Sequence, residues 1–451
     1  MNHHEITRRA FLAATTTTAL AAAFPIRVNA AEVVPRKISP NEKMNIAAIG
    51  AGGKGLSDIM ACRKENVVAL CDVDWKQAEE AFYRNPEAKQ FRDYRQMLES
   101  MPEIDACTIS TPDHMHAQAA YMAMKLGKHV YVQKPLTHTI KEARLLRRTA
   151  TEMKVATQMG NQGHSGRGTR EMCQLIWDGQ IGDVAEVHCF TDRPGGRWHR
   201  EASEMVTGET APEGMPWDVW LGPAADRPYS SLYHPAKWRA WWDFGCGSLG
   251  DMACHIMDPA WMALKLHDAP TYTVDVVEKT EHTPQTTPVS CILKFDFPAR
   301  GDMGPVSLYW YDGGKLPARP AEIPADEKIG DGDNGSLFVG TKGYAATGTY
   351  GGGTKLMPKV KMDALGRIEL KIPKIDGSHY NNWIDACKGG EAACSNFEYS
   401  APFTEMVLFG NLALRTGRKM TYDTVKGEVL NDTEANTLIT KSYRPGWELP
   451  V

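Results

Sequence analysis

The chain lacks the marks of most specialised protein classes. Its ten cysteines are scattered, with no CxxC pair and no paired Cys/His spacing. That excludes a structural zinc site of ordinary spacing and leaves buried free thiols as the reading. Charge is nearly balanced, a formal net of -4 with 24% charged residues, so neither nucleic acid nor an anionic membrane is implied as a partner. No apolar run is long enough to span a bilayer comfortably. Internal repeats, heptads and low-complexity tracts are missing after residue 31. What remains is 42% hydrophobic and 451 residues long, enough for two domains, each with its own core.

The N-terminus carries "EITRRAFLAATTTTALAAAFPIRVNAAE", with Arg8-Arg9, then Phe11-Leu12, then a mild apolar run to Phe24. Small residues near Ala30 and Ala31 offer a cleavage site. The pattern fits a twin-arginine export signal over residues 1–31, with a periplasmic destination and no stable membrane association once it is removed. A Sec signal with a chance Arg-Arg and a membrane anchor are the competing readings. The many threonines make the run weakly hydrophobic, which suits the twin-arginine route, and export in the folded state agrees with free thiols.

Residues 32–43 read as a polar linker. From Met44, strands and helices alternate: "MNIAAIG" then "GLSDIMACRKE", "NVVALCDVD" then a helix over 75–89, "IDACTISTP" then "HMHAQAAYMAMKLG", "KHVYVQKP" then "TIKEARLLRRTATEMK", and "VATQMGN". Alternation of this kind predicts βαβ units around a parallel sheet. Residues 44–165 are therefore expected to form a Rossmann dinucleotide-binding domain. Beyond it the chain is rich in Trp, Tyr, Pro and Gly, with strand-like stretches such as "VSCILKFDF" and "PVSLYWYD". The fold class is α/β: the Rossmann domain, then an α+β domain over 166–451 with a large open, mainly antiparallel sheet.

"AAIGAGGKGLSDIM" contains Gly50-x-Gly52-x-x-Gly55, with Gly53 between. The pattern alone is weak in a chain with 40 glycines. Here it follows a strand, opens a helix and lies inside a βαβ unit, as a dinucleotide fingerprint requires. Gly50 suits the tight turn, Gly52 the approach of backbone N–H groups to a pyrophosphate, and Gly55 close packing of helix on strand. The second strand ends at Asp72, where a carboxylate can accept the ribose hydroxyls of adenosine and repel a 2′-phosphate, so NAD is the expected cofactor. A glycine-rich surface turn beside an incidental acid is the bland alternative.

In "HVYVQKPLTHT" Lys134 stands at the mouth of an apolar strand. "VQKP", "STPDHMHA" upstream and "GSLGDMACHIMD" downstream together resemble the Gfo/Idh/MocA oxidoreductases, a family that includes inositol dehydrogenase and glucose–fructose oxidoreductase. The resemblance covers nearly all of the chain after residue 43. "PWDVWLGPA" and "NFEYSAPFTEMVLFGNLALRTGRKMTYD" are most similar to its exported, Trp-rich members. It implies that Lys134, in the family's Glu-Lys-Pro motif, sits beside the nicotinamide, with Gln133 replacing the glutamate. It also implies that Thr111, Pro112 and His116 form a loop over the cofactor, and that Asn161 lies near the nicotinamide. The second domain's sheet is expected to join subunits into a dimer or tetramer.

Asp251 and His255 are four apart in "GDMACHIMDPAWMALKL", read as one helix, and share a face one turn apart. That spacing suits an acid–base pair in which the aspartate fixes the imidazole tautomer or binds a sugar hydroxyl. A helix-start aspartate with a core histidine is as good a reading of the spacing alone; the resemblance makes both catalytic. His164 and Arg167 are placed where substrate can meet them, or in a plain glycine-rich loop. Trp238, Trp241 and Trp242 can stack on sugar rings or simply pack, and Arg239 among them can contact cofactor or substrate. No metal is expected, since His114 and His116 lack further ligands nearby.

The function expected is hydride transfer between a sugar or glycoside hydroxyl, at C3, and tightly held NAD. Two other readings stand beside it. One is an NAD-dependent glycosidase that oxidises C3 transiently and eliminates the aglycone; the other is a sugar-binding protein without activity.

Overall fold

The computed structural model describes residues 34–195, 197–198 and 208–451. The expected signal segment, residues 1–31, lies outside the described residues. Six strands, β1 (Asn45–Ile49), β2 (Asn66–Cys71), β3 (Lys89–Phe91), β4 (Ala106–Ile109), β5 (His129–Val132) and β6 (Thr157–Met159), form one sheet. Their order is β3-β2-β1-β4-β5-β6 and every neighbouring pair is parallel. This is the doubly wound order, whose reversal between β1 and β4 opens a crevice at the strand ends. β4 and β5 are buried along their whole length, as strands covered on both faces must be.

Five helices connect them: α1 (Lys54–Ala61), α2 (Glu79–Arg84), α3 (Tyr94–Ser100), α4 (His116–Lys125) and α5 (Ile140–Met153). α5 starts at a reciprocal cap in which Thr139 Oγ1 accepts from Glu142 N and Glu142 Oε2 accepts from Thr139 N, at 3.3 and 3.0 Å. The helix expected over 75–89 is shorter, because Asn85 precedes Pro86 and is pushed out of helical backbone. The strand β3 and the helix α3 that follow it were not expected.

The second domain begins with α6 (Arg167–Trp177) and β7 (Val184–Phe190), then α7 (Trp217–Leu221), α8 (Gly247–Ile256) and α9 (Asp258–Ala263). The single helix expected over 250–266 is these last two, divided at Met257 where Pro259 in the first turn of α9 cannot donate to the preceding turn. Strands β8 (Thr271–Lys279), β9 (Cys291–Phe297), β10 (Val306–Tyr311), β11 (Gly335–Gly340), β12 (Gly343–Thr347) and β13 (Lys355–Met357) follow. Helices α10 (Lys359–Leu365), α11 (His379–Cys387) and α12 (Phe397–Thr416) come next, then β14 (Met420–Asp423) and β15 (Glu428–Val429). The nine-stranded sheet runs β13-β12-β11-β7-β10-β9-β8-β14-β15. Only β7 and β10 pair in parallel. β9 alternates buried and half-buried residues, the signature of a sheet with one face on the core.

The two domains share material. Trp383, Ile384 and Cys387 of α11 pack with Ile46 of β1 and Tyr131 of β5. The linker is docked as well: Ile38 joins that cluster, and Arg36 Nε donates to Asp105 Oδ1 at 2.7 Å. Among the described residues, no helix is long and apolar enough to cross a membrane. All ten cysteines are free, and nine are buried.

Candidate active site

A cleft of about 540 Å³ runs from the glycine loop, past the ends of β4 and β5, to α8. At its first end Gly50 has φ +82°, and a Cβ there would lie 2.7 Å from the Ser110 backbone. A Cβ on Gly55 would lie 1.9 Å from the Gly50 carbonyl oxygen, so α1 can sit this close to β1 only with glycine. Gly52 and Gly53 line the cleft, and a Cβ on Gly53 would meet nothing within 4 Å. The loop therefore leaves room for a phosphate group at the start of α1, with Lys54 beside it.

Asp72 closes the loop from below. Its Oδ2 accepts from Ala51 N and Gly52 N at 2.9 Å, and its Oδ1 from Asp74 N at 2.9 Å. Burial pushes its carboxyl up, against the pull of these amides. It lines the cleft and keeps acceptor capacity for the expected ribose hydroxyls, since each carboxylate oxygen takes more than one donor. Across the cleft, His234 Nε2 lies 2.7 Å from Asp74 Oδ2, so a buried pair clasps the second domain over this end. These features fit a dinucleotide.

Thr111 and Pro112 line the cleft as expected. His116 does not: it is buried, with Nδ1 2.8 Å from Pro135 O and Nε2 2.9 Å from Thr111 O. Burial pushes its pKa down to about 4 while the two carbonyls pull it the other way, and the ring sits between the loop and the Lys134-Pro135 segment rather than covering a cofactor. Asn161 is also displaced from the expected place; its Oδ1 accepts from Ser395 Oγ at 2.6 Å, away from the cleft lining. Gln133 donates Nε2 to Asp58 Oδ2 at 2.9 Å. Asp58 is fully buried on α1 and also accepts from Ser110 Oγ and Tyr380 OH, both at 2.6 Å, and from Lys54 Nζ. Five residues from both domains thus meet behind Lys134.

At the other end, Lys134 Nζ donates to Asp251 Oδ1 at 2.8 Å and to the Asp251 carbonyl at 2.7 Å. Arg239 Nε reaches the same Oδ1 at 3.3 Å, its guanidinium 4.2 Å from the Trp238 ring. Burial opposes the Asp251 anion, but Lys134 and Arg239 hold its carboxyl well below the usual carboxylate range. Its partner is therefore the lysine of the other domain and not the imidazole one turn away. His255 lines the cleft with its ring 4.7 Å from that of Tyr350. Burial first, and the Lys134 cation next, keep its pKa well below the ordinary value, so the ring is neutral.

His164 and Arg167 are not brought to the cleft. His164 Nδ1 faces Asp258 Oδ2 at 2.9 Å in a buried group with Tyr399, and Arg167 pairs with Glu171 and the Ile368 carbonyl. Trp238 lines the cleft, whereas Trp241 is core packing, its Nε1 donating to Leu232 O at 2.9 Å. Among the described residues no group of three or more His, Cys, Asp or Glu could hold a metal.

Two further charged residues, Asp113 and Arg193, line the cleft without having been expected there. Asp113 Oδ2 accepts from Cys246 N at 3.0 Å, just before α8, and burial pushes its carboxyl up to about 7. With His114 N bonded to Phe244 O at 3.2 Å, this loop fixes the Rossmann domain to the start of the helix that carries Asp251 and His255. Asp113 stood inside the quoted "STPDHMHA"; Arg193 had no local mark at all.

Comparison with known proteins places this geometry. Residues 44–161 match an oxidoreductase family with an NAD-binding Rossmann fold, and residues 173–294 match the C-terminal α/β domain of the same family. The chain is 28% identical over 210 residues to an α-N-acetylgalactosaminidase of Shewanella oneidensis, covering 40% of this chain and 45% of that one. It spans about half the length of the curated relatives it matches. The WlbA dehydrogenase of Bordetella pertussis, solved with NADH and UDP-GlcNAcA, superposes with a TM-score of 0.57 at 15% identity, covering 84% of this chain and 98% of that one. An inositol dehydrogenase homologue of Azotobacter vinelandii, solved with NADH and myo-inositol, gives 0.52 at 17% identity, covering 85% and 98%. With its NAD-binding domain and matching second domain, the chain belongs to the Gfo/Idh/MocA oxidoreductase family.

Proposed function

We propose that this protein is an NAD-dependent dehydrogenase of a sugar or glycoside, oxidising a ring hydroxyl at C3. The observation that carries this reading is the Lys134–Asp251 ion pair spanning the cleft, beside a neutral His255. Bound NAD supplies the hydride acceptor. His255 takes the hydroxyl proton, and the Lys134 cation stabilises the developing alkoxide. Asp251 holds the lysine in place, and the glycine loop with Asp72 and Lys54 binds the dinucleotide. Lys134 and Asp251 are brought together from different domains, which a sugar-binding protein without activity would not need.

A redox-neutral glycosidase is the second reading, favoured by the similarity to an α-N-acetylgalactosaminidase. In it the C3 ketone would acidify the C2 proton, the aglycone would leave by elimination, water would add across the C1–C2 double bond, and the ketone would be reduced again. The arginine pair Arg8-Arg9 and the apolar run after it support export to the periplasm through the twin-arginine route. NAD loaded before export would then have to stay bound, and the buried Asp74–His234 clasp suits retention. For a homo-oligomer the support is the outer face of β7, β9 and β10, where His188 stacks on Tyr309 at 5.0 Å and Lys294 lies 5.8 Å over the same ring.

Mass spectrometry of products from a panel of glucosides and galactosides decides between the readings. A ketone two hydrogens lighter, still glycosidically linked, establishes the dehydrogenase. A released sugar of unchanged oxidation state establishes the glycosidase.

A further inference from the structure

Neutral sugars do not explain the charge at the substrate end of the cleft. Lys134 and Arg239 line it against two carboxylates, Asp113 and Asp251, and Arg193 lines the same cleft. Asp251 is already taken, with Lys134 at 2.8 Å and Arg239 at 3.3 Å. Asp113 is held by Cys246 N at 3.0 Å, and burial pushes its carboxyl up to about 7, so near neutral pH it is only partly ionised. Among the described residues the balance is a surplus of positive charge.

Among the described residues the two guanidinium groups also have donors that meet no acceptor. An arginine presents five N–H groups in a planar fork. Arg193, just past the end of β7, meets one acceptor among the described residues, Asp192 Oδ1 at 3.2 Å. Asp192 does not line the cleft. Arg239 uses Nε on Asp251 and Nη1 on the Ala236 carbonyl at 3.2 Å, and among the described residues no acceptor meets its Nη2. Stabilising an alkoxide accounts for Lys134, and its ion pair with Asp251 accounts for one edge of Arg239. Neither accounts for Arg193, a fork of the shape that grips carboxylates in two-point fashion.

We propose that the substrate is a carboxylated sugar, a uronic acid or a uronide, whose carboxylate is held by Arg193 and the free edge of Arg239 while its hydroxyl reacts at Lys134 and His255. This rests on the dehydrogenase reading above and names the substrate class for the same site. It gives Arg193 a role as a specificity residue.

The test uses the mature NAD-loaded protein and matched pairs: methyl glucoside with methyl glucuronide, and methyl galactoside with methyl galacturonide. Ketone formation is followed by mass spectrometry and initial rate. The acid should be preferred over its neutral partner at least about 10-fold in kcat/KM. Raising salt from about 0.02 to 0.5 M should raise KM several-fold for the acid and hardly at all for the neutral partner, because screening weakens the charge contact. Arg193→Gln should bring the acid-to-neutral ratio to within about 3-fold, the fork being gone. If that variant melts early, the salt dependence of the wild type decides. Equal or better turnover of the neutral partner, or a ratio untouched by Arg193→Gln, overturns the carboxylate and leaves the dehydrogenase standing. No ketone from either member of any pair, with NAD still bound, overturns the dehydrogenase reading and this proposal with it.

Discussion

At one end of the cleft Asp72 holds three backbone amides of its own domain; at the other Asp251 holds a lysine that reaches it from the opposite domain. The cofactor end is defined by shape: glycines where a single added carbon would collide, and a carboxylate fixed by main-chain amides. The substrate end is defined by charge, with Lys134 and Arg239 on one firm anion and Arg193 lining the same cleft. Backbone donors cannot move and cannot titrate, so the first end should tolerate changes of charge nearby and no change of volume. The second should behave the other way.

The strongest challenge to that contrast is Gly55→Ala. The new carbon would sit 1.9 Å from the Gly50 carbonyl, so α1 must shift. The purified variant is expected to carry no NAD when its released cofactor is measured by absorbance, and to lose about 1–3 kcal/mol of stability. Full retention of NAD would show that shape is not what defines this end. Next in size is Lys134→Met, which keeps volume and removes charge. Turnover should fall on the order of 100- to 1000-fold, with NAD content unchanged; loss of the cofactor along with activity would show the two ends are one unit.

Gln133→Glu probes the seam between them. It places a second carboxylate where the amide now donates to Asp58 at 2.9 Å, so one of the two must keep a proton. Activity should fall roughly 10-fold and acquire a new pH dependence. Adding Asp58→Asn exchanges donor and acceptor and should recover most of the loss; a double variant no better than the single one would rule out this hydrogen-bonded arrangement. The smallest effect is expected at Asp113. Its carboxyl is pushed up to about 7 by burial, whereas an unfolded aspartate titrates near 3.9, so between these values the unfolded chain gives up its proton first. Stability therefore falls as pH rises through that window. Asp113→Asn keeps an acceptor for Cys246 N and removes the titration, so relative to wild type it should gain about 1 kcal/mol from pH 5 to pH 6. Parallel denaturation curves at the two pH values would sink this.

How much of the site could be read in advance follows the same division. Gly50, Gly52 and Gly55 were legible because a loop that must approach both a strand and a ligand leaves a fixed local spacing. Lys134, Asp251 and His255 were legible through resemblance, yet the spacing of Asp251 and His255 suggested a partnership that the structure gives instead to Lys134. Asp58 reads in "GLSDIM" as an ordinary polar helix position; its partners Gln133 and Tyr380 lie far along the chain, where no local pattern can announce them. His116 misled for a related reason: both of its ring nitrogens face carbonyls that only the folded loop brings near. In the fold, β3 and α3 were hidden because a three-residue strand and a seven-residue helix are too short to show a period.

The return of α11 to the first domain bears on how the chain is made. Trp383, Ile384 and Cys387 complete the packing around Ile46 and Tyr131, residues that leave the ribosome far earlier. An N-terminal half emerging alone would carry a strand order ready to bind a dinucleotide but an apolar flank with nothing against it. Final compaction of the first domain therefore waits for α11, and vectorial folding of that domain stops one helix short.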